Sequence, residues 1–291
     1  MLLREIKDIY HLELDTQYER EEVASFFYLL IEHHLKLERF ILAMQPNLVV
    51  SKDDETSLFA ALSRLKLQEP IQHIIGKTHF MEMDFRVTKD VLIPRPETEE
   101  LIRWMLDELR VKSSELRVLD IGTGSGCIAI SLAKHLPEAK VYALDVSKEA
   151  LEVAKKNAEL NNVNLIFIKQ DILESERELE RELELELEFD VIVSNPPYVR
   201  ELEKKEMHKN VLEHEPDLAL FVSDENPLVF YKKITAFASQ NLRVGGTLFF
   251  EINQYLGKET KQLLKDHNFS EIELRKDMFE NDRMLMGVKK T

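Results

Sequence analysis

The chain has 291 residues, of which 44% are hydrophobic and 32% are charged, a composition typical of folded globular proteins. Its formal net charge of −15 argues against proteins that bind nucleic acid through the phosphates, because such proteins usually carry an excess of Lys and Arg. No apolar run approaches the roughly 20 residues that a membrane-spanning helix needs. The single cysteine, Cys127, excludes an internal disulfide and favours a reducing, cytoplasmic location.

Residues 174–188, ESERELERELELELE, are the most unusual stretch of the chain. They contain eight Glu and two Arg, so this segment carries a net charge of −6 and the remainder carries −9. Glu occupies every even position, which on a β-strand would set one charged face against a partly apolar one. We expect either an exposed hairpin at a sheet edge or a disordered loop.

The first seventy residues predict a small helical domain. They contain no glycine and only two prolines, Pro46 and Pro70, and apolar residues recur at helical spacing from Val23 to Met44. A second helical stretch, DDETSLFAALSRLKLQ, opens on Asp and Thr residues that favour a helix N-terminus. Residues 1–70 are therefore assigned to an N-terminal helical bundle.

Residues 71–93 predict a connector between this bundle and the rest of the chain. Their sequence alternates like two β-strands around Gly76-Lys77, which indicates a β-hairpin. Two prolines then stiffen the chain ahead of a helix that we expect to begin at Glu97 and to extend to about Val111.

Strands and helices alternate through residues 94–291, the third and largest region. The predicted strands are Leu116–Ile121, Lys140–Asp145, Leu165–Lys169, Phe189–Ser194, Gly246–Glu251, Glu271–Arg275 and Arg283–Val288. The predicted helices between them include Cys127–Leu136, Lys148–Asn161, Pro227–Leu242 and Gly257–His267. This order is typical of an α/β fold with a largely parallel, doubly wound sheet. Only KDMFEND separates the last two strands, which is too short for a crossover helix, so the last strand should be antiparallel.

A glycine-rich turn follows the first strand of this region. In VLDIGTGSGCIAI, Gly122, Gly124 and Gly126 stand at G-x-G-x-G spacing between a strand and a helix. Glycines allow a tight turn and let the backbone approach a ligand at the carboxyl edge of the sheet. A nicotinamide-binding turn prefers G-x-G-x-x-G, so the third glycine comes one residue early for a dehydrogenase.

Acidic residues at the ends of two later strands narrow the class of ligand that this loop can bind. Asp145 ends the second strand, 19 residues after Gly126, where a carboxylate can accept hydrogen bonds from both ribose hydroxyls. Asp171 and Ile172 follow the third strand, where a carboxylate can bind an exocyclic amine and an aliphatic side chain can cover an adenine ring. Together these positions predict a ligand that contains adenosine.

The fourth strand, FDVIVS, ends in Asn195-Pro196-Pro197-Tyr198. Neither proline has an N–H to donate, so the strand stops in a rigid turn. The Asn195 side-chain oxygen and the Pro196 carbonyl can accept the N–H bonds of a planar –NH₂ group and aim its lone pair at a methyl donor. Tyr198 can pack against the planar group, and alignment of this kind can lower a displacement barrier by ~7–11 kcal/mol. No metal is required.

These motifs carry a family resemblance. An NPPY turn after a GTGSG loop resembles S-adenosylmethionine-dependent methyltransferases that act on planar nitrogens. The chain also contains VLIPRPETEELI at 91–102, EPDLALFVSDENPLVFYKKI at 215–234, LFFEINQ at 248–254 and a final DMFENDRMLMGVKK. This set resembles the HemK/PrmC family of protein-(glutamine-N5) methyltransferases, which modify the Gly-Gly-Gln loop of class I peptide chain release factors.

The resemblance implies a Rossmann-like class I methyltransferase sheet and roles for named residues. It implies that the donor, S-adenosyl-L-methionine, is held by Gly122, Thr123, Gly124, Ser125, Gly126, Asp145, Asp171, Ile172 and Asn195. It implies that the glutamine amide is held by Asn195, Pro196, Pro197 and Tyr198, with Arg95, Pro96, Glu97 and Thr98 in the wall of the active site. The family commonly has Glu-x-Gly where this chain has Glu251-Ile252-Asn253, so another local backbone geometry is expected there.

The partner implied by the resemblance is a release factor that the helical bundle recognises, with the enzyme acting as a monomer. Three alternatives stay open. NPPY alone does not distinguish a flipped adenine from glutamine, so an N6-adenine or other nucleic-acid methyltransferase is one, although the acidic charge opposes it. A cofactor-binding adaptor without activity and a dehydrogenase are the others, and the intact motifs and the glycine spacing oppose them.

Overall fold

The structure, a computed structural model, describes residues 1–109, 115–174 and 188–290. The hairpin-or-loop prediction for the Glu-rich segment and the predicted end of a helix near Val111 therefore lie outside the described residues. Within those ranges no helix is both long enough and apolar enough to cross a membrane. The chain divides into two compact units, Met1–Gly76 with His208–His214, and Lys77–Met207 with Glu215–Thr291.

The first unit is helical. Its elements are α1 (Leu3–Leu14), α2 (Arg20–Leu35), α3 (Ile41–Met44), α4 (Lys52–Lys66) and α5 (Ile71–Ile75), with α9 (Lys209–His214) from later in the chain. The apolar pattern from Val23 to Met44 is not one helix, because Lys36 takes a left-handed conformation (φ 58°) that ends α2. Buried Tyr10 and Phe27 meet edge to face in its core, where the Tyr10 hydroxyl donates to the Leu58 carbonyl.

The predicted β-hairpin exists, but its predicted turn at Gly76-Lys77 is wrong. Its strands are β1 (Lys77–Phe80) and β2 (Met83–Arg86), which turn at Met81-Glu82. Residues 71–75 form α5 instead, because Ile71 and Ile74 are spaced to bury on one helical face, and Gly76 ends that helix at φ 76°. The turn itself uses positive φ at Met81 and Glu82 without any glycine, so the sequence gives it no signal.

The second unit is built on a seven-stranded sheet. Its strands are β3 (Arg117–Ile121), β4 (Lys140–Asp145), β5 (Ile166–Lys169), β6 (Phe189–Ser194), β9 (Leu242–Glu251), β10 (Phe269–Lys276) and β11 (Asp282–Lys289), in the order β10-β11-β9-β6-β3-β4-β5. The pairs β5–β4, β4–β3, β3–β6 and β6–β9 are parallel, and β11 is antiparallel to both of its neighbours. The predicted doubly wound sheet with an antiparallel last strand is confirmed.

Helices cover both faces of this sheet. They are α6 (Pro96–Leu109), α7 (Cys127–His135), α8 (Lys148–Asn161), α11 (Val229–Asn241) and α12 (Gly257–Asp266). Residues from α6, α7 and α8 pack with alternate strand residues such as Val191, and those from α11 and α12 pack with the intervening ones such as Ile192. Alternation along a strand sends successive side chains to opposite faces, which is why β6 is buried throughout.

Short elements complete the second unit. They are a 3₁₀ helix (Glu201–Glu206), α10 (Asp217–Leu220), and the two-stranded parallel pair β7 (Val199–Arg200) and β8 (Phe221–Val222). All of them follow the NPPY turn in the chain.

Candidate active site

A cavity of about 420 Å³ opens at the carboxyl ends of the parallel strands, where doubly wound sheets bind ligands. The loops after β3, β4, β5 and β6 all reach it. The predicted site residues that line it are Gly122, Thr123, Gly124, Ser125, Asp145, Asp171, Ile172, Asn195, Pro196, Pro197, Arg95 and Thr98. Gly126, Tyr198, Pro96 and Glu97 were predicted with them and do not line it.

The glycine loop owes its shape to backbone conformations that only glycine adopts readily. Gly122 and Gly124 have φ values of 74° and 53°, and open space stands where a side chain would project from either residue. Gly126 has a φ of 82°, and a Cβ there would lie 2.9 Å from Ile130 Cδ1 and 3.1 Å from Ala154 Cβ. The first two glycines therefore leave the backbone open to a ligand, and the third lets α8 pack closely behind the loop.

Buried polar groups support the loop from below. The Thr123 hydroxyl donates to Asp120 Oδ2 at 2.6 Å, and the Ala129 N–H donates to the same oxygen. Asp120 is fully buried, and burial raises its pKa to about 7. Asn157 on α8 donates to the Ser125 carbonyl at 2.9 Å and exchanges two hydrogen bonds with the Arg86 backbone, so it joins the hairpin to the loop.

Asp145 stands at the end of β4, with its carboxylate fixed by the backbone. Oδ2 accepts from the Gly124 N–H at 2.8 Å and Oδ1 accepts from the Ser147 N–H at 2.9 Å. Burial raises the pKa of Asp145, and these two N–H groups counter that rise. Each oxygen keeps a lone pair, so the carboxylate is oriented and still able to accept hydrogen bonds from a ligand.

At the next strand end, Ile172 is buried and lines the cavity with an aliphatic side chain. The neighbouring Asp171 accepts from the Leu173 N–H at 2.8 Å, which fixes the turn after β5. An apolar surface beside a carboxylate is the arrangement expected for a purine, and the glycine loop and Asp145 complete a site that fits an adenosine-containing ligand.

The NPPY turn begins where β6 ends next to β3. The Ser194 hydroxyl donates to the Ile121 carbonyl at 2.7 Å, which ties the two strand ends together. Asn195 Nδ2 then donates to Thr98 Oγ1 at 3.4 Å. Asn195 and Thr98 both line the cavity, so the amide lies in the same space as Asp145 and the glycine loop.

Glu251, at the end of β9, holds the other side of this turn. Its Oε2 accepts from the Thr98 hydroxyl at 2.6 Å and its Oε1 accepts from the Tyr198 hydroxyl at 2.9 Å. Burial raises the pKa of Glu251, while these two hydroxyls and Arg283 favour its ionised form. The Tyr198 hydroxyl thus faces the protein interior; the predicted packing of its ring against substrate stays a prediction.

Arg283 on β11 anchors Tyr198 in turn. Its Nη1 donates to the Tyr198 hydroxyl and to the Ile252 carbonyl, each at 3.2 Å, and its Nε donates to Asp277 Oδ2 at 3.1 Å. The Asp277 side chain is fully buried and that of Arg283 is 14% exposed. A cation this well enclosed by acceptors fixes the phenol in place.

Asn253 occupies the position where glycine was expected, and it does not take a positive φ. Its side chain is buried, with Nδ2 donating at 2.9 Å to both the Tyr198 carbonyl and Glu203 Oε2. Glu203 also accepts from Arg200. The local geometry is therefore one in which a side chain spans from the end of β9 to the NPPY turn.

The segments IPRPET and EPDLAL meet through one ion pair. The buried Glu215 carboxylate accepts from Arg95 Nη2 through Oε1 and from the Ile93 N–H through Oε2, the latter at 3.0 Å. Arg95 remains half-buried in the cavity wall. Glu215 therefore holds together two motifs that stand 120 residues apart in the chain.

The sequence motifs contain Glu251 and Arg283 but indicated no role for either residue, and Asn157 lies outside all of them. One signal was available for Glu251, since a charged residue that directly ends the apolar run LFF needs a buried partner. Asn157 gives no such signal, because an Asn within a helix is usually exposed. Within the described ranges, no group of three or more His, Cys, Asp or Glu side chains is placed to hold a metal ion.

Comparison with known proteins supplies the family. A model of the PrmC N-terminal domain matches residues 13–76, and a model of the methyltransferase small domain matches residues 100–218. The release factor glutamine methyltransferase of Flavobacterium psychrophilum is 50% identical over 98% of this chain and 98% of its own length. The chain belongs to the release factor glutamine methyltransferase family. The family member from Bacteroides thetaiotaomicron is 42% identical over 94% of this chain and 95% of its own length.

Solved structures show the fold of the family's catalytic part. The catalytic domain of hMettl16, in complex with a MAT2A 3′UTR hairpin, matches with a TM-score of 0.54 at 16% identity over 82% of each chain. The T. thermophilus 16S rRNA methyltransferase RsmC, in complex with AdoMet and guanosine, matches with a TM-score of 0.51 at 19% identity over 74% of this chain and 50% of its own. Both support the class I methyltransferase fold.

Members of the family are S-adenosylmethionine-dependent methyltransferases, and S-adenosylmethionine is the methyl donor of this chain. The residues present fit that donor. Asp145 presents an oriented carboxylate to the cavity, and the open backbone at Gly122 and Gly124 allows a ligand to approach closely. The predictions of the family, the activity class and the cofactor are confirmed.

Proposed function

We propose that this chain methylates the side-chain nitrogen (N5) of the glutamine in the Gly-Gly-Gln motif of class I peptide chain release factors. One observation carries the proposal: the Asn195 amide lines the same cavity as Asp145 and the glycine loop. A cavity shared by a donor site and an amide-holding turn supports transfer to a planar –NH₂ group. The names of the relatives support a release factor as the protein that presents it.

The residues of the turn act by alignment. When bound, S-adenosylmethionine supplies an electrophilic methyl group on a sulfonium. Asn195 Oδ1 and the Pro196 carbonyl each accept one N–H of the glutamine amide. These two hydrogen bonds keep both amide protons away from the methyl group and direct the nitrogen lone pair toward it. The methyl donor is held by residues at the carboxyl ends of β3, β4 and β5, namely Gly122, Thr123, Gly124, Ser125, Asp145, Asp171 and Ile172. The nitrogen then loses a proton to water, so no side chain is assigned as a general base.

Recognition of the release factor is assigned to the helical first unit, which the PrmC N-terminal model supports. We place the reaction in the cytoplasm, where peptide chains are terminated. We assign the enzyme as a monomer, the state that the family resemblance implies. The acidic net charge of −15 supports a protein substrate over a nucleic acid.

The proposal is tested by offering methyl-labelled S-adenosylmethionine together with an unmodified release factor or an adenine-rich DNA duplex. Label is expected on the glutamine of Gly-Gly-Gln, identified by mass spectrometry, and not on DNA. Asn195→Ala should lower transfer about 100- to 1000-fold, the range for removal of one positioned hydrogen-bonding group, while donor binding persists. Label on DNA, or none on the release factor, contradicts the proposal.

A release factor whose target glutamine is replaced by asparagine is the matched substrate control. Its side chain keeps the amide but is one methylene shorter, so the nitrogen does not reach the methyl group. Transfer to that variant at the wild-type rate would show that another residue is the acceptor.

A further inference from the structure

The Thr98 hydroxyl lies between Glu251 and Asn195. It is 2.6 Å from Glu251 Oε2 and 3.4 Å from Asn195 Nδ2, and Thr98 is only 2% exposed. Asn195 and Glu251 lie 97 and 153 positions after Thr98 in the chain, and the three residues form one short series of hydrogen bonds. Such a series has a direction, because each group must donate to the next or accept from it.

Glu251 sets that direction, because each of its two oxygens accepts from a hydroxyl, Oε2 from Thr98 and Oε1 from Tyr198. The single Thr98 proton therefore goes to Glu251. The Thr98 oxygen is then left as an acceptor and faces the Asn195 amide, which must turn its NH₂ toward it. The Asn195 oxygen occupies the other branch of the same planar amide. Asn195 lines the cavity, so this orientation offers an acceptor to the substrate.

Glu251 cannot turn away from Thr98, because its second oxygen is engaged. Oε1 accepts from the Tyr198 hydroxyl, which also accepts from Arg283. Arg283 is paired with the buried Asp277, so the series ends on a fixed ion pair. With both carboxylate oxygens occupied by hydroxyl donors, reversal at Thr98 would leave a buried oxygen without its partner.

We propose that Glu251 and Thr98 are positioning residues whose hydrogen-bond direction selects the Asn195 rotamer that presents its oxygen to the substrate amide. This inference rests on the proposed function, because the value of the orientation is that it accepts a substrate N–H. In the flipped rotamer Asn195 would present N–H groups to the N–H groups of the glutamine. Glu251 and Thr98 thereby control turnover without contacting the reacting atoms.

Variants of Thr98 test the role of the hydroxyl. Thr98→Val keeps the shape but removes the link, and should lower kcat about 10- to 100-fold, the loss expected when a reacting group is misaligned. Thr98→Ser keeps the hydroxyl and should restore kcat to within about threefold of wild type. Thr260→Val is the matched control, since the buried Thr260 hydroxyl donates to the Leu256 carbonyl at 2.8 Å and takes no part in the series.

A reversal of direction tests the idea independently of Thr98. Asn195→Asp and Glu251→Gln should each lower kcat, the first because two carboxylates then compete for one hydroxyl proton. The double variant restores complementarity: the new amide at position 251 donates to Thr98, and Thr98 donates to the new carboxylate at position 195. We expect the double variant to exceed Asn195→Asp in kcat at least about tenfold, a coupling that two independent losses cannot give.

Donor affinity by calorimetry and thermal unfolding are measured on every variant. The inference expects donor Kd to stay within about twofold of wild type for Thr98→Val, with kcat reduced. Wild-type kcat in Thr98→Val, an equal loss of donor binding, or a double variant no better than Asn195→Asp would each overturn it. A wild-type protein that leaves release factors unlabelled would instead refute the proposed function, so the two failures are distinct.

Discussion

Two carboxylates of the site are held in opposite ways: Asp145, which lines the cavity, and Glu251, which is buried behind the NPPY turn. Asp145 accepts from the backbone N–H groups of Gly124 and Ser147, which lie within 21 residues of it. Glu251 accepts from the side chains of Thr98 and Tyr198, which are 153 and 53 residues away. In the donor half of the site, Asp145 is therefore held by backbone N–H groups nearby in the chain, and in the acceptor half Glu251 is held by side chains that the tertiary fold brings together.

This difference predicts how each half of the site responds to substitution. In the donor half, most side chains can be replaced while the backbone N–H groups that hold Asp145 stay in place. A variant there should therefore mainly affect the affinity for S-adenosylmethionine. In the acceptor half each side chain is the partner of another, so the loss of one leaves a buried group unsatisfied.

Arg283→Met should have the largest effect. It leaves the buried Asp277 carboxylate without its cation and Tyr198 without its donor, and breaking a buried pair destabilises a protein by roughly 3–5 kcal/mol. The free energy of unfolding by urea measures this loss. Arg103→Met is the matched control, because the Arg103 side chain is 63% exposed and its pair with Glu99 contributes less than about 1 kcal/mol. Equal losses in the two variants would contradict a special role for the acceptor half.

The second prediction contrasts a buried aspartate from each half. Burial raises the pKa of Asp120 to about 7, so the folded state binds a proton more readily than the unfolded state, and wild-type stability should fall as pH rises from about 4 to about 7. Asp120→Asn carries no charge and should escape this loss, gaining up to ~4 kcal/mol relative to wild type across that range.

Asp277 should behave in the opposite way. Burial would raise its pKa, but hydrogen bonds from the Asn281 and Phe279 N–H groups and from Arg283 lower it below its usual value. Its contribution to stability is present above the ordinary carboxyl pKa and is lost as pH falls through the lowered value. Asp277→Asn should therefore differ from wild type by a roughly constant amount above the ordinary carboxyl pKa of about 4, because the Asp120 contribution is the same in both proteins and cancels. Urea unfolding across that range measures both variants, and parallel curves for the two would refute the contrast.

Asp145→Ala tests the donor half directly. Loss of hydrogen bonds to a charged group should weaken S-adenosylmethionine binding roughly 30- to 100-fold, or about 2–3 kcal/mol, while kcat at saturating donor changes less than about threefold. Calorimetry and steady-state kinetics separate the two effects. Asn195→Ala is the reciprocal control, with reduced kcat and unchanged donor affinity. A loss of kcat without a loss of affinity in Asp145→Ala would break the division between the halves.

Asn253→Ala should have the smallest effect of the four. It removes the hydrogen bonds to the Tyr198 carbonyl and to Glu203, at a loss of roughly 1–2 kcal/mol in the free energy of unfolding. Asn226→Ala changes an exposed Asn and should stay within about 0.5 kcal/mol of wild type. If the two variants unfold alike, Asn253 does not support the turn.

The same division explains what could be predicted from the sequence. The glycine loop, Asp145 and NPPY are local patterns at strand ends, and the parallel sheet follows from alternation with helices, so these were accessible. The hairpin turn was misplaced because Met81 and Glu82 take positive φ without glycine. The Glu251 series was inaccessible, because no pattern relates Thr98, Glu251 and Arg283 until the sheet sets them side by side.

The position of β11 between β10 and β9 has a consequence for synthesis. The segments that form the glycine loop and Asp145 leave the ribosome within some 30 residues of one another, between β3 and the end of β4. Arg283 emerges more than 130 residues later, and only then can β11 add to β9 and complete the support of Tyr198. At synthesis rates of roughly 5–20 residues per second, this interval lasts about 7–28 seconds. A nascent chain would thus contain its whole donor loop well before the strand that completes the support of its acceptor turn has been synthesised.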